Sequence, residues 1–325
     1  MQGSSSAAQA MPPALGRVLP RIGGMQVVEQ LAALSGSDFT SVMLEVAKRR
    51  AARETPGSVL RRYSSDRFVR PSSIGWRSLR RVEDAMLGCL ADDVDVLTLA
   101  PLVPLAAHSA LGTVSQHRVV TTIRACEVAA DPTNALALEA ASRRARERDV
   151  AGTVRLAGVQ RVVRAQQFPA GMYPHFSLFA LVTAGRDEGS CRFEQDALAE
   201  HLGFAIAALT AVGAAGIEVA LTPLSDAGTR IAEAVTAELA DRAATILMDH
   251  TRQAGRGYYR DVCFKINFSD DGELVEYGDG GFTDWTAKLL ANQKERLLIS
   301  GYGLDRLTRV NPAPLRPGAL TPRRE

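Results

Sequence analysis

The chain has 325 residues, 46% of them hydrophobic, with 38 basic and 36 acidic side chains and a net charge of +2. That length suits one large domain or two ordinary ones, and the charge balance excludes a general attraction to nucleic acid or to a membrane surface. No apolar run approaches the ~20 residues that span a bilayer.

Met1 to Pro20 is rich in Ser, Ala and Pro and has no continuous apolar core, so it does not read as a secretory signal. Residues 1–30 are expected to form a flexible tail. Ser37-Asp38 can cap a helix with Val42, Met43, Val46 and Ala47 on one face and Lys48-Arg49-Arg50 at its end, where positive charge suits the helix dipole. Thr55-Pro56-Gly57 breaks that pattern. Arg61-Arg62 and Arg77, Arg80 and Arg81 are further basic clusters, read as solvated faces because acids are interspersed.

A helix is expected from Trp76 to Ala91, with Leu79, Val82, Met86, Cys89 and Leu90 as its apolar stripe. A strand from Val94 to Leu99 follows and stops at Pro101. Asp131-Pro132 reads as the cap and first residue of a helix reaching Arg148. Val154 to Val163 and Phe176 to Thr183 read as strands joined by the turn Pro169-Ala170-Gly171. Phe193 to Val212 is a predicted helix, Ile217 to Leu221 a buried strand, and Ile231 to Met248 a helix. Strands follow near Val262 to Phe268, Glu273 to Tyr277 and Leu297 to Ser300. The segment after Pro312, with Pro314, Pro317 and Pro322, is expected to be disordered over 313–325.

Long helices with hairpin-joined strands give an α+β fold class, an antiparallel sheet flanked by helices. Cys89, Cys126, Cys191 and Cys263 include no CxxC pair, which suits reduced thiols in the cytoplasm. The five histidines show no spacing of metal ligands.

One segment carries chemistry on its face. The apolar run Leu297-Leu298-Ile299-Ser300 enters Gly301-Tyr302-Gly303-Leu304-Asp305-Arg306-Leu307. A strand, a Gly-x-Gly turn and a helix start bearing arginine face phosphate well. Glycine admits a close ligand, the helix N-terminus is positive, and arginine supplies a forked cation. No series of βαβ units precedes the turn, which rules out a doubly wound dinucleotide fold.

A second arginine completes a pattern. Val162-Val163-Arg164-Ala165-Gln166-Gln167, the loop Phe168 to Pro174 and the returning His175-Phe176-Ser177-Leu178-Phe179 resemble motif 2 of the class II aminoacyl-tRNA synthetases, most of all the histidyl branch. Gly301 to Leu307 resembles motif 3. The helix, strand and Pro101 resemble motif 1, which builds the class II dimer. Asp131-Pro132-Thr133 lies where the histidyl branch binds its amino acid. Gly257-Tyr258-Tyr259-Arg260-Asp261-Val262-Cys263-Phe264 resembles that branch's double-tyrosine strand, and Gly280-Gly281-Phe282-Thr283-Asp284 its double-glycine loop.

The resemblance covers roughly Phe39 to Val310 and implies a core over 31–312 with a reduced helical insertion at 226–253. It implies ATP and Mg2+ as ligands and a homodimer as the assembly. Arg164 would hold the α-phosphate and the substrate carboxylate, with Gln166 beside it. Arg306 would hold the γ-phosphate end. Phe179 would stack on adenine, and His175 would lie near the terminal phosphates. Asp131, Thr133, Tyr258 and Tyr259 would line the amino-acid pocket, and Glu276 and Asp279 would hold magnesium.

The departures are equally specific. Gln166 stands where motif 2 has glutamate, and Ala254-Gly255 and Gly257 where the histidyl branch has a catalytic arginine. The chain closes soon after motif 3, so the anticodon-binding domain is expected to be absent. The resemblance leaves three readings. One is an adenylate-forming ligase that passes its acyl group to an amine, a carrier protein or a metabolite. The second is a non-catalytic regulator like the histidyl-synthetase-like subunit of ATP phosphoribosyltransferase. The third is a tRNA-dependent aminoacyl transferase, which the near-neutral charge disfavours.

Overall fold

The computed structural model describes residues 12–146, 152–168 and 172–310. The expected Pro169–Gly171 turn, the last residues of the helix predicted to reach Arg148, and the segment 313–325 lie outside them. The chain divides into two compact units, one of residues up to Arg61 with Thr122–Ala125, the other of Arg62–Thr121 and Cys126 onward.

The first unit is helical. It holds α1 (Pro13–Val18), α2 (Met25–Ala32), α3 (Gly36–Ala51) and the start of α4 (Pro56–Ser65). The expected flexible tail is thus helical from Pro13. Its composition hides two local signals: Pro13 at a first helical position, and Val27, Val28 and Leu31 at helical spacing. The cap of α3 is Ser35, whose side chain accepts from Asp38 N–H at 3.2 Å, not Ser37-Asp38. The preceding helix ends at Ala51, so the pattern breaks before Pro56 as expected, and Pro56 then starts α4, because a first-turn residue needs no N–H. Thr40 donates to the Ile123 carbonyl at 3.1 Å and ties in the distant segment.

The second unit is built on an eight-stranded sheet. After α5 (Trp76–Leu87) come β1 (Asp95–Val96), β2 (Leu102–Pro104), α6 (Ala107–Leu111), β3 (Cys126–Val128) and α7 (Pro132–Arg146). Then follow β4 (Val154–Val163), β5 (His175–Arg186), α8 (Arg192–Ala211), β6 (Ala215–Pro223), α9 (Asp226–Glu238) and β7 (Thr245–Met248). The last elements are β8 (Tyr259–Asp270), β9 (Glu273–Thr283), α10 (Trp285–Leu289), β10 (Glu295–Gly303) and α11 (Leu304–Leu307). The sheet order is β1-β4-β5-β10-β9-β8-β6-β7. Only the edge pairs β1–β4 and β6–β7 are parallel. The small pair β2–β3 stands apart.

Both faces of the sheet are covered. On one, Leu181, Phe264, Leu298 and Tyr302 pack with Leu198, Leu202 and Leu209 of α8. On the other, Leu156, Val182, Leu297 and Ile299 pack with Leu136, Ala137 and Ala140 of α7. Each Leu, Ile, Val or Phe among them contributes roughly 1.5–3 kcal/mol when fully buried. Two expected elements change here. The helix predicted over 231–248 ends at Glu238, and Thr245–Met248 instead adds the parallel edge strand β7. The segment 226–253 is therefore a helix and strand joined to the sheet, not a helical insertion. The strand expected over 94–99 pairs with β4 only at Asp95 and Val96, and α5 stops at Gly88.

The double glycine lies within β9. A Cβ on Gly281 would sit 2.6 Å from a Tyr259 ring carbon and 2.7 Å from the Cys263 Cβ. A Cβ on Gly280 would strike the Phe264 ring on the opposite face. Both positions stay bare so that aromatic rings can lie flat on the strand.

His201 of α8 is fully buried between the helix and the sheet, facing Thr183 Oγ1 at 3.0 Å and Ser300 Oγ at 2.9 Å. Burial, with the Arg155 charge as a smaller cause, pushes its pKa down to about 3 from 6.5. Below pH 6.5 the unfolded chain takes up a proton that the folded chain does not. Its contribution is therefore fully present above pH 6.5 and is lost as pH falls toward the folded value. Urea unfolding at descending pH is expected to show a loss of roughly 1 kcal/mol per pH unit that His201→Gln removes. Equal slopes in the two proteins would contradict this.

Candidate functional site

Across the α7 face runs a row of paired positions. Ala180 of β5 stands opposite Gly301 of β10, Gly301 opposite Asp279 of β9, and Asp279 opposite Lys265 of β8. Strand alternation puts these residues on the face that carries Val182, Ile299 and Cys263. A Cβ on Gly301 would meet nothing within 4 Å. Packing does not require this glycine, and the bare backbone leaves a floor open to a ligand.

Arg164 borders this floor from the end of β4. Its Nε donates to the Ala130 carbonyl at 3.0 Å and its Nη2 to Asp131 at 3.3 Å. Its guanidinium lies 5.1 Å from the centroid of the Phe176 ring, a cation–π distance. Asp131 begins α7, and its other oxygen accepts from the N–H and the hydroxyl of Thr133, at 3.0 and 2.8 Å. Both side chains of the Arg164–Asp131 pair are about one-third exposed.

The next cluster comes from β8, β9 and the loop before them. The Tyr259 hydroxyl donates to Asp279, and Arg252 pairs with the other oxygen of the same carboxylate. Arg252 is buried, lies 5.5 Å from the Tyr259 ring centroid, and donates to the carbonyls of Ala254 and Phe264. Burial pushes the Asp279 carboxyl above its usual value, although the Arg252 charge and the hydrogen bonds from Tyr259 and Arg252 pull it down. Tyr258 links the clusters. Its ring centroid is 4.3 Å from that of Tyr259. Burial pushes its hydroxyl up to about 12, and Asp279 and Asp131 both act on it electrostatically.

Arg306 enters at the same end of the sheet as Arg164, where β4 and β10 end on either side of the start of β5. The Ser177 N–H donates to Asp305 at 3.0 Å, which ties α11 to β5 beside Phe176. Arg306 is exposed, donates to the Glu276 carbonyl, and passes 3.8 Å from the Cβ position of Gly303. Gly303 shares the open face of Gly301.

The structure thus brings together Asp131, Arg164, Tyr258, Tyr259 and Asp279, with Arg306 at the edge of the same face. Other expected positions are corrected. Phe179 points to the α8 face, fully buried and stacked on Phe204 at 5.1 Å, so it has no surface for adenine. Its neighbour Phe176, on the open face, is the aromatic beside Arg164. His175 also points away from the floor. It accepts from Arg161 Nη2 at 2.7 Å and donates to the Arg70 carbonyl at 2.7 Å. Thr133 is buried and supports Asp131 instead of lining a cavity. Gln166 is exposed at the start of the loop.

The expected magnesium pair does not form. Glu276 is committed to Lys265 at 2.7 Å, and Asp279 to Arg252 and Tyr259. Among the described residues, no group of three or more Asp, Glu, His or Cys is arranged to hold a metal ion. Sequence reasoning missed Arg252 and Lys265. Lys265 owes its position to the pairing of β8 with β9, and Arg252 to the fold of the loop before β8 onto the Ala254 and Phe264 carbonyls, neither of which local spacing reveals.

No family model and no curated protein sequence matches the chain. Solved structures do. One is an ATP phosphoribosyltransferase regulatory subunit/histidyl-tRNA synthetase from Bacillus halodurans, with a TM-score of 0.59 and 14% identity over 74% of this chain and 81% of that one. The fold is that of a class II aminoacyl-tRNA synthetase catalytic domain. The histidyl-tRNA synthetase of S. aureus matches with a TM-score of 0.54 and 15% identity, over 71% of this chain and 64% of that one. This chain therefore spans less than two thirds of that class II enzyme. A histidine–tRNA ligase subunit from Alicyclobacillus acidocaldarius matches with a TM-score of 0.54 and 14% identity, over 74% of this chain and 96% of that one. Among the described residues, no helix is long and apolar enough to cross a membrane.

Proposed function

We propose that the sheet unit activates a carboxylate, an amino acid or a related acid, with ATP as co-substrate. The supporting observation is the bare floor at Gly301, bordered by Arg164 on Phe176 and by Arg306 on α11. A carboxylate oxygen attacks the α-phosphorus, the bond to the bridging oxygen of the β-phosphate breaks, and pyrophosphate leaves. Negative charge grows on the α-phosphate oxygens, where the forked Arg164 side chain stabilises it. Arg306 holds the terminal phosphates, and Phe176 offers adenine a flat apolar face. Asp131 and Asp279 attract the substrate's amino group, with the two tyrosines as walls. Magnesium is given no protein ligand in this reading.

The acyl group then passes to an amine, a carrier protein or a metabolite. A specific observation favours a second reading, a regulator like the ATP phosphoribosyltransferase subunit. Both acids of the site are already paired, Asp131 with Arg164 and Asp279 with Arg252, so its charges balance without a nucleotide. The test is ATP–pyrophosphate exchange across a panel of amino acids and related acids. Exchange with one of them supports the ligase. No exchange with any, in a folded protein, leaves the regulator.

The assembly proposed is a homodimer built on α5. Trp76 at its start is 73% exposed while Val82 and Met86 face the core, and a large exposed aromatic suits an interface centre. Light scattering at micromolar concentration is expected to give twice the chain mass. A clean monomer would contradict it.

A further inference from the structure

Behind Arg164 stands a buried pair that the proposed reaction does not use. Glu127 of β3 is fully buried and accepts from Ala106 N–H at 3.2 Å, His108 N–H at 3.1 Å, Gln116 Nε2 at 2.6 Å and His108 Nδ1 at 2.6 Å. Burial pushes its carboxyl up, but the hydrogen bonds from Gln116, His108 and the Ala106 N–H outweigh that and hold it below its usual value. Glu127 is therefore an ionised acceptor, and the proton it faces belongs to His108 Nδ1. The other ring nitrogen, Nε2, accepts from the Ala130 N–H at 2.9 Å. An acceptor on Nε2 and a donor on Nδ1 define one neutral tautomer.

The chain of bonds continues into the site. The carbonyl of Ala129 accepts from Val163 N–H at 2.9 Å, so the peptide between Ala129 and Ala130 is held at both ends. The carbonyl of Ala130 takes the Arg164 Nε, and the next residue, Asp131, takes its Nη2. With Nε on the Ala130 carbonyl and Nη2 on Asp131, one edge of the guanidinium is fixed beside the Phe176 ring, and the Nη1–Nη2 edge is the one left to meet a ligand.

We infer that Glu127 and His108 form a positioning dyad: Glu127 sets the His108 tautomer, His108 fixes the Ala130 corner, and that corner aims Arg164. The functional half of this inference rests on the carboxylate-activation reading. The structural half does not. Neither residue touches substrate. Removing the Nε2 acceptor frees the Ala130 peptide to turn and lets the Arg164 fork rotate. That blunts recognition of a flat carboxylate or phosphate more than it weakens the core, since the pair lies at the small β2–β3 end of the unit.

The test uses the full chain and nuclear magnetic resonance. In the wild type, long-range 15N correlations are expected to show His108 with its proton on Nδ1. An Nε2–H tautomer or an imidazolium would overturn the dyad, whatever any variant does. Among variants, His108→Gln keeps an acceptor near the Nε2 position, and His108→Leu does not. Exchange of the Ala130 amide is expected to be about tenfold faster in His108→Leu and close to wild type in His108→Gln. The Arg164 Nε–H resonance should move only in the leucine variant. Unchanged exchange and an unmoved resonance in a folded His108→Leu protein would overturn the proposal.

Where the wild type exchanges pyrophosphate, His108→Leu should raise the carboxylate KM about tenfold, and His108→Gln should restore it. A KM unmoved by the leucine variant would overturn the functional half alone. A wild type without exchange would overturn that half together with the ligase reading, and the resonances would still decide the structural half.

Discussion

Arg164→Lys is expected to lower the rate of ATP–pyrophosphate exchange by at least about tenfold. In the structure one edge of this side chain is spent on the Ala130 carbonyl and on Asp131. The rest of the fork is left to the ligand, over the Phe176 ring. Lysine is a point donor on a flexible stem and cannot serve both sides. A charge-assisted contact in a partly dry site is worth roughly 1.5–3 kcal/mol, and each ~1.4 kcal/mol is one decade of rate. Arg306→Ala is expected to weaken ATP binding and to slow exchange as well. Arg306 is exposed and, among the described residues, its side chain donates to the Glu276 carbonyl alone, so its loss is expected to leave the fold intact. Exchange rates with calorimetry measure both effects. A regulator that binds no nucleotide would show neither.

Arg144→Met destabilises the protein by roughly 3 kcal/mol, the scale of breaking a buried ion pair from one side. Arg144 and Glu295 are both buried where α7 meets β10. Glu295 also accepts from Arg186 Nε at 3.2 Å and Asn292 Nδ2 at 3.3 Å. Those partners soften the loss without cancelling it, and the Gly152 carbonyl loses its donor too. Replacing both members, Arg144→Met with Glu295→Leu, is expected to recover much of the loss, because no charge is then left buried alone. Urea denaturation reads all three proteins. A double variant no more stable than Arg144→Met would show that the stranded carboxylate is not the cause.

Much of this architecture was legible where the signals are local. The cap and proline at Asp131-Pro132 and the strand Val154–Val163 each lie within one short window and formed as expected, whereas Gly301-Tyr302-Gly303, expected as a turn, continues β10 as paired strand and runs straight into α11 at Leu304. Side-chain direction in β5 was not legible. Phe176 and Phe179 lie three apart, so one faces the floor and the other the core. Both faces of that strand are covered, and the run Leu178-Phe179-Ala180-Leu181-Val182 carries no polar alternation to show which is which.

The carboxylates of β9 failed for another reason. Tyr277 falls at a register shift, which brings Glu276 and Asp279 onto one face. There Lys265 and Arg252 neutralise them, partners whose closeness depends on the pairing of β8 and β9. The strand β7 was hidden because a short edge strand after a helix continues the same apolar pattern.

The most direct test of the central claim is calorimetry of the full chain with ATP and magnesium. The open floor between Arg164 and Arg306 predicts saturable binding that Arg306→Ala weakens. No binding at millimolar nucleotide, in a protein shown to be folded, would contradict the account and leave this face to a regulator without catalysis.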